Sequence, residues 1–190
     1  FFGDAAWYFY LFWMPKYLND VRGFDTKQVG YFAWIPFAAA GLGSLASGWF
    51  SSFLIKRGQP VSNARRIAMG VVTALMPLVA LVTNAPIEMV IVIFSVAYFG
   101  QQAWSTILMI LPTDLFPRKA VGAVAGMVGF GGAMGGVVFG QVAGWMLDGG
   151  LGYGPVFGIV STFHVIGMLI ILATIPARVF VKAEAASGRA

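Results

Sequence analysis

Six apolar runs, each near or above the length that crosses a bilayer, dominate this sequence of 190 residues. A membrane-spanning helix needs about 20 consecutive apolar residues, and a helix satisfies its own backbone amides where lipid offers no water. The sequence therefore predicts an all-α membrane protein with six transmembrane helices. Pro36, Pro77 and Pro112 are expected to kink three of them. The runs are Phe2–Leu18, Val29–Ile55, Ile67–Val82, Ile87–Leu111, Ala120–Leu147 and Pro155–Ile175.

Composition supports a lipid-facing chain. Charged residues make up 10% of the sequence and hydrophobic residues 59%, with a mean hydropathy of +0.83, whereas soluble domains average about 25% charged residues. Cysteine is absent, so there is no disulfide framework and no thiolate metal site. The net charge of +5 lies in the loops between runs. We therefore expect no nucleic-acid partner, no metal site and no cofactor.

The basic residues predict how the runs are oriented. Nine of the 12 Lys and Arg residues fall on one side if the runs alternate in direction, and three fall on the other. The richer side is expected to be cytoplasmic, which puts the tail 177–190 in the cytoplasm. Because Phe1 is not a start methionine, we expect the sequence to begin inside a longer protein. The nine are Lys56, Arg57, Arg65, Arg66, Arg118, Lys119, Arg178, Lys182 and Arg189; the three are Lys16, Arg22 and Lys27.

Two adjacent glutamines near the middle of the fourth run are the first candidate site. Polar groups at that depth usually face a bundle interior or a water-filled cavity. Tyr98, Gln101, Trp104 and Ser105 lie along one stripe of a helix, where an aromatic surface beside hydrogen-bonding groups suits a polar, ring-bearing solute. Gln101 and Gln102 point about 100° apart and cannot both face one neighbour. We predict that at least one lines a cavity; the alternative is an interhelical hydrogen bond.

Aromatic residues of the first run add to this candidate site. Trp7 and Tyr10 share one stripe and Tyr8 lies on another. The tyrosine hydroxyls need partners if they are buried, so either could reach a substrate, and packing against lipid or neighbouring helices is the alternative. The candidate substrate-binding residues are Gln101, Gln102, Trp104, Ser105, Tyr8, Tyr10 and Trp7.

Glycines crowd the fifth run at spacings of four residues. Rows of small residues allow two helix backbones to approach closely. Static packing is one interpretation, and a helix that slides during gating is the other. The glycines predicted to pack are Gly122, Gly126, Gly131, Gly132, Gly135 and Gly136.

Three segments carry a family resemblance. The stretch 98–136, YFGQQAWSTILMILPTDLFPRKAVGAVAGMVGFGGAMGG, resembles the tenth and eleventh helices of hexuronate permeases, in the anion:cation symporter branch of the major facilitator superfamily. WYFYLFWMPKYL, 7–18, resembles their seventh helix, and LIKRGQPVSNARR, 54–66, resembles their loop between helices eight and nine.

This resemblance implies that residues 1–176 are the C-terminal six-helix half of a twelve-helix transporter. The two halves would rock around a site at the midplane, in the bacterial inner membrane. The implied partners are a small organic anion such as a sugar acid, a proton, the lipid bilayer and the missing N-terminal half. The family places the anion-binding arginine and the proton-titrating acids chiefly in that other half. It also places the helix of His164 at the outside of its own half, which favours a packed, hydrogen-bonded histidine.

A cytoplasmic gate is predicted near the end of the fourth run. Asp114 lies close to Arg118 and Lys119 in sequence, as a loop ion pair or gate latch would require. Arg57 is a further gate candidate in the loop between the second and third runs. The permeases that this chain resembles usually carry an acidic and then a basic residue in the motif between these helices, which form a charge-pair latch. Ser52 and Phe53 occupy those positions here, so the latch is expected to be weaker.

Other functions remain open at this point. The chain could be a permease for another organic anion, or a drug exporter. An intramembrane enzyme would need a nucleophile beside a base, and Ser44 or Ser47 with His164 is the available combination, without a supporting motif. A membrane scaffold would not explain polar groups at mid-depth.

Overall fold

Helices account for nearly all of residues 1–176, the part of the chain that the computed structural model describes. No strand occurs in this part, so the all-α prediction is confirmed. The predicted tail 177–190 lies outside the described residues. The helices are α1 (Phe2–Asp20), α2 (Thr26–Lys56), α3 (Val61–Thr73), a 3-10 helix (Met76–Asn84), α4 (Ile87–Leu115), α5 (Arg118–Asp148) and α6 (Tyr153–Thr174).

Five helical segments of this part are long and apolar enough to cross a membrane. They are α2, α3 together with the 3-10 helix, α4, α5 and α6. The remaining helix, α1, has 19 residues and carries Asp4, Lys16 and Asp20. It is nevertheless a central helix, because it packs against α4, α5 and α6.

The third span changes helix type near Pro77. The α-helix ends at Thr73, and a 3-10 helix begins at Met76 with the proline in its first turn. Proline lacks a backbone N–H and clashes with the preceding helical turn, so the α-helical hydrogen bonds stop before it. The break predicted at Pro77 is therefore present, as a change of helix type.

Helix starts follow local signals. Asp25 caps α2 in a capping box: its side chain accepts from the backbone N–H of Gln28 at 2.7 Å, and the Gln28 side chain accepts from the backbone N–H of Asp25 at 2.9 Å. This exchange satisfies backbone donors that have no partner inside the helix. Pro60, Pro86 and Pro117 directly precede α3, α4 and α5.

Side-chain contacts join the loops at one end of the bundle. The Arg22 guanidinium donates to the carbonyl oxygens of Val82 and Ala85, both at 2.9 Å. The Tyr153 hydroxyl donates to the Asp20 carboxylate at 3.1 Å. The end of α1, the end of the 3-10 helix and the start of α6 therefore meet, as the alternating spans predict.

The opposite end is joined in the same way. Arg65, in the first half of α3, donates to the Asp114 carboxylate near the end of α4 at 2.9 Å. Arg66 donates to the carbonyl oxygen of Ile175, just after α6. The two ends together show that successive spans alternate in direction.

An aromatic core holds α1 against its neighbours. The ring centroid of Phe9 on α1 lies 5.5 Å from that of Phe139 on α5 and 5.3 Å from that of Phe157 on α6. Tyr17 meets Phe157 at 5.2 Å, one layer nearer the loops. Such edge-to-face contacts add directional packing to apolar burial. This core fixes the position of α1 beside the polar stripe of α4.

Candidate functional site

The polar cluster of α4 faces two different directions. Gln101 is 1% exposed and Trp104 is 3% exposed, both turned into the interior of the bundle. Gln102 and Ser105 are half-buried. The two glutamines therefore point to different surroundings, as the 100° rotation between adjacent helical residues requires.

Gln101 forms an interhelical hydrogen bond. Its Oε1 lies 2.6 Å from Nε2 of His164 on α6, and the contact is buried. With the amide oxygen as the acceptor, Nε2 carries the hydrogen and Nδ1 is left without one. The histidine is packed and hydrogen-bonded, which confirms the prediction for that residue.

Trp104 occupies a slot between two glycines. Its indole passes between Gly3 of α1 and Gly167 of α6. A Cβ added at Gly3 would lie 2.7 Å from the ring, and one added at Gly167 would lie 3.3 Å from it. It also meets the His164 ring edge-to-face at 5.5 Å. Trp104 Nε1 and His164 Nδ1 are buried with no hydrogen-bond partner among residues 1–176. Such groups are rare in folded proteins, so this α1–α4–α6 contact is a polar site inside an apolar bundle.

Two tyrosines link α1 to α4. The Tyr98 hydroxyl donates to the carbonyl oxygen of Tyr10 at 3.0 Å, and the two rings stack with centroids 6.0 Å apart. Tyr10 is fully buried, and within residues 1–176 its own hydroxyl has no partner. Trp7 is half-buried and meets the Tyr98 ring at 5.3 Å.

The other polar side of α4 meets α2. The Thr106 hydroxyl donates to the carbonyl oxygen of Gln102 at 2.8 Å and lies 2.7 Å from the Ser44 hydroxyl. The Ser47 hydroxyl donates to the carbonyl oxygen of Ser44 at 3.2 Å. The serine–histidine pair that an enzyme would need is not assembled, because Ser44 bonds to Thr106 of α4, Ser47 bonds within α2, and His164 bonds to Gln101.

Half of the predicted glycines form the α1–α5 contact. A side chain at Gly132 would collide with the Asp4 carboxylate, and one at Gly136 would collide with the Tyr8 ring. Gly135 lies against the backbone of Phe1. Nothing in residues 1–176 comes within 4 Å of a Cβ built at Gly122, Gly126 or Gly131. Close packing at these three glycines therefore stays a prediction, and it would need a helix from outside this bundle.

The acidic group of the predicted gate pairs with a residue that sequence reasoning did not select. Asp114 accepts from Arg65 at 2.9 Å, while Arg118 and Lys119 are exposed. Arg65 also donates to the Ser51 hydroxyl at 2.7 Å, so α2, α3 and α4 converge on one guanidinium. Both charged side chains are largely shielded, at 12% and 18% exposure. The sequence signal was the basic pair 65–66, which we used only for orientation.

Arg57 takes no part in this network. It is exposed, and its guanidinium lies over the Phe53 ring at 4.8 Å from the centroid. The predicted gate residues therefore occupy the same end of the bundle without forming one cluster.

Comparison with known proteins identifies relatives over most of the chain. A D-galactonate transporter of Escherichia coli O6:H1 (strain CFT073) is 30% identical over 164 residues, 85% of this chain and 37% of the relative. The hexuronate transporter of Escherichia coli K12 is 29% identical over 180 residues, 90% of this chain and 40% of the relative. A probable galactarate/D-glucarate transporter of the same strain is 29% identical over 154 residues, 78% and 33% respectively. No family model matches the chain.

These relatives confirm the resemblance that the sequence indicated. Hexuronate, galactonate and glucarate transporters are acid transporters of the major facilitator type. The chain spans about two fifths of the length of the first two relatives, and its helical architecture agrees with one half of such a transporter. Apolar helices and transporter relatives together identify an integral membrane protein.

Proposed function

We propose that this chain, which is homologous over 78–90% of its length to hexuronate, galactonate and glucarate transporters, is the C-terminal half of a proton-coupled sugar-acid symporter. The observation that supports it most is the polar and aromatic surface of α4 and α1 at mid-span, in a bundle whose relatives carry acids. Substrate access would alternate as two six-helix halves rock around the midplane. The protein would reside in the bacterial inner membrane with its C-terminus in the cytoplasm, and it would have no enzymatic activity.

Burial divides the proposed site residues into two roles. Gln102, Ser105, Trp7 and Tyr8 are half-buried, so we assign direct contact with the substrate to them. The other three predicted residues offer almost no surface to a solute, and we assign them the positioning of α1 against α4. These are Gln101, Trp104 and Tyr10.

The substrate carboxylate needs a cation from outside this bundle. Arginine is the usual partner of a carboxylate because its guanidinium donates two parallel hydrogen bonds. The arginines and lysines of residues 1–176 all lie at or near helix ends or in loops. The binding cation would therefore come from the partner half.

Two helices are suited to meet that half. Of the five spans, α2 and α5 have the smallest buried share. On α5 the open glycines Gly122 and Gly126 would allow a further helix to approach closely. We propose these faces as the contact between halves, with rocking rather than a fixed interface.

Uptake measurements test this function. The full-length protein would be expressed in a strain without its own sugar-acid permeases and supplied with radiolabelled glucuronate, galacturonate, D-galactonate or D-glucarate, with and without a protonophore. We expect uptake of at least one acid, abolished by the protonophore. Uptake that survives the protonophore would contradict proton coupling. No uptake of any of the four acids by protein shown to be in the membrane would contradict the sugar-acid assignment.

A further inference from the structure

A narrow apolar groove opens on the surface of the bundle between α2, α3 and α4. Its volume is about 200 Å³. The lining residues include Ala46 and Phe50 of α2, Ala68 and Val72 of α3, and Phe99 and Ala103 of α4. Ser47 also borders it, but its hydroxyl already donates to the carbonyl oxygen of Ser44.

The shape and chemistry of this groove exclude the transported acid. Small-molecule sites usually measure about 300–1,000 Å³ and contain a few converging polar groups. This groove is smaller and has apolar walls. A section of a hydrocarbon chain suits this groove. It has no polar group whose burial against apolar walls would cost free energy.

One end of the groove leads to unneutralised cations. The α2 positions Ala46 and Phe50 continue at helical spacing to Arg57, which is seven residues, about 10 Å, beyond Phe50. Arg57 and its neighbour Lys56 are both exposed. No carboxylate of residues 1–176 forms an ion pair with either of them.

Another cation near the groove is already neutralised. Arg65 lies one turn before Ala68 on α3, but it donates to the Asp114 carboxylate. The exposed cations that continue the α2 side of the groove are Lys56 and Arg57. An apolar groove whose α2 lining ends about 10 Å along the helix from exposed cations matches the layout of a phospholipid, with part of an acyl chain in the groove and the phosphate at the membrane surface.

We propose that the groove binds one acyl chain of an anionic phospholipid, whose phosphate contacts Arg57 and Lys56. This lipid site is separate from the proposed sugar-acid site and does not depend on it.

Lipid affinity tests the headgroup contact. The full-length protein, delipidated in detergent, would be titrated with dioleoyl phosphatidylglycerol or dioleoyl phosphatidylcholine and observed by native mass spectrometry. We expect tighter binding of phosphatidylglycerol, and Arg57→Gln should weaken it about fivefold, since a cation near an anionic surface contributes about 1 kcal/mol. The control Lys27→Gln removes an exposed cation at the opposite end and should change nothing. Equal binding of both lipids by the unaltered protein, or equal effects of the two variants, would overturn the proposal.

A second pair of variants tests the acyl-chain contact. Ala46→Leu places a larger side chain in the groove and should weaken both lipids. Ala38→Leu makes the same change at an exposed position of α2 outside the groove and should weaken neither. Competition by glycerol 1-phosphate as strong as that by phosphatidylglycerol would identify a free-anion site and reject the lipid.

A measurement on the unaltered protein avoids any folding defect of the variants. Phosphatidylglycerol with a photoreactive diazirine in its acyl chain would be cross-linked and the labelled peptides mapped. Labels within 46–50, 68–72 or 99–103 support the groove. Labels confined to other segments would refute the proposed lipid site. This result is expected if the partner half covers the groove.

Discussion

At the scale of single residues, adjacent polar groups on α4 have separate surroundings. Gln101 is buried and hydrogen-bonded to His164 of α6, whereas Gln102 is half-buried. Burial makes a hydrogen bond costly to break, because the partner left behind is unsatisfied. A substrate contact requires accessible surface instead. The two glutamines should therefore respond to substitution in different ways.

Replacing Gln101 should reduce stability. We expect Gln101→Leu to lower the free energy of unfolding by about 1–3 kcal/mol, because the buried Nε2 hydrogen of His164 loses its acceptor. The double variant Gln101→Leu/His164→Leu should recover part of this loss. Thermal unfolding of the detergent-solubilised protein measures both. Gln141→Leu, at an exposed position of α5, is the control; purely additive effects of the two changes would contradict a direct bond.

Replacing Gln102 should reduce transport with little change in stability. We expect Gln102→Ala to raise the KM for the sugar acid about tenfold, since a hydrogen bond to a charged group is worth about 1.5–3 kcal/mol and tenfold corresponds to about 1.4 kcal/mol. Uptake kinetics and the melting temperature would be measured on the same variant. An unaltered KM with a lowered melting temperature would place Gln102 in the packing and outside the site.

At the scale of helices, close approach depends on particular glycines. Gly43 of α2 lies directly against the carbonyl oxygen of Phe99 on α4, whereas Gly41 has open space around it. In the sequence, Gly41, Ser44 and Gly48 form a row of small residues on α2, and of these Ser44 meets Thr106 of α4. The spacing of small residues does not select Gly43, because spacing is a property of one helix, whereas the residue that faces a neighbour depends on how both helices are rotated.

This pair of glycines makes a matched test of the α2–α4 contact. Gly43→Ala should lower the free energy of unfolding by about 1–3 kcal/mol, because a methyl group there meets backbone that side-chain motion cannot relieve. Gly41→Ala should be neutral or stabilise by up to about 1 kcal/mol, since alanine favours the helix. Thermal unfolding compares the two. Equal effects would show that the helices are not in contact at Gly43.

The Arg65–Asp114 pair tests the proposed gate between helices. We expect Asp114→Asn to reduce uptake about tenfold, because the shielded Arg65 loses a charge-assisted hydrogen bond worth about 1.5–3 kcal/mol. The exchange Arg65→Asp/Asp114→Arg should restore part of the uptake. Arg118→Gln, at an exposed position, is the control. A defect in the exchanged variant as large as in the single one would argue against a pairing role.

At the scale of the whole molecule, orientation follows from the asymmetry of basic residues. The chain contains no cysteine, so a single cysteine introduced into it reports one position. A membrane-impermeant maleimide should label Gln28→Cys in intact cells and should label Gln59→Cys only after lysis, because the two exposed positions lie at opposite ends of α2 and the basic end is expected inside. The reverse pattern would invert the topology and place the lysine- and arginine-rich loops outside.

The sequence by itself determined the class of the protein, its spans and its relatives. Hydropathy and run length are local properties, and lipid forces each span to satisfy its own backbone. The predicted spans accordingly agree with the helices to within a few residues at most ends, although α3 starts six residues earlier, at Val61. The family resemblance also predicts the packed role of His164, and the structure identifies Gln101 as its partner.

Only the tertiary structure decided which side chains meet. Gln101 and His164 are 63 positions apart, and Arg65 and Asp114 are 49 apart. A helix that is apolar on every face has no strong preference for one rotation about its axis in lipid. The packing of the six helices against one another sets that rotation. It turned Gln101, Trp104 and Tyr10 inward, and it left Gln102, Ser105, Trp7 and Tyr8 with the surface that a substrate could contact.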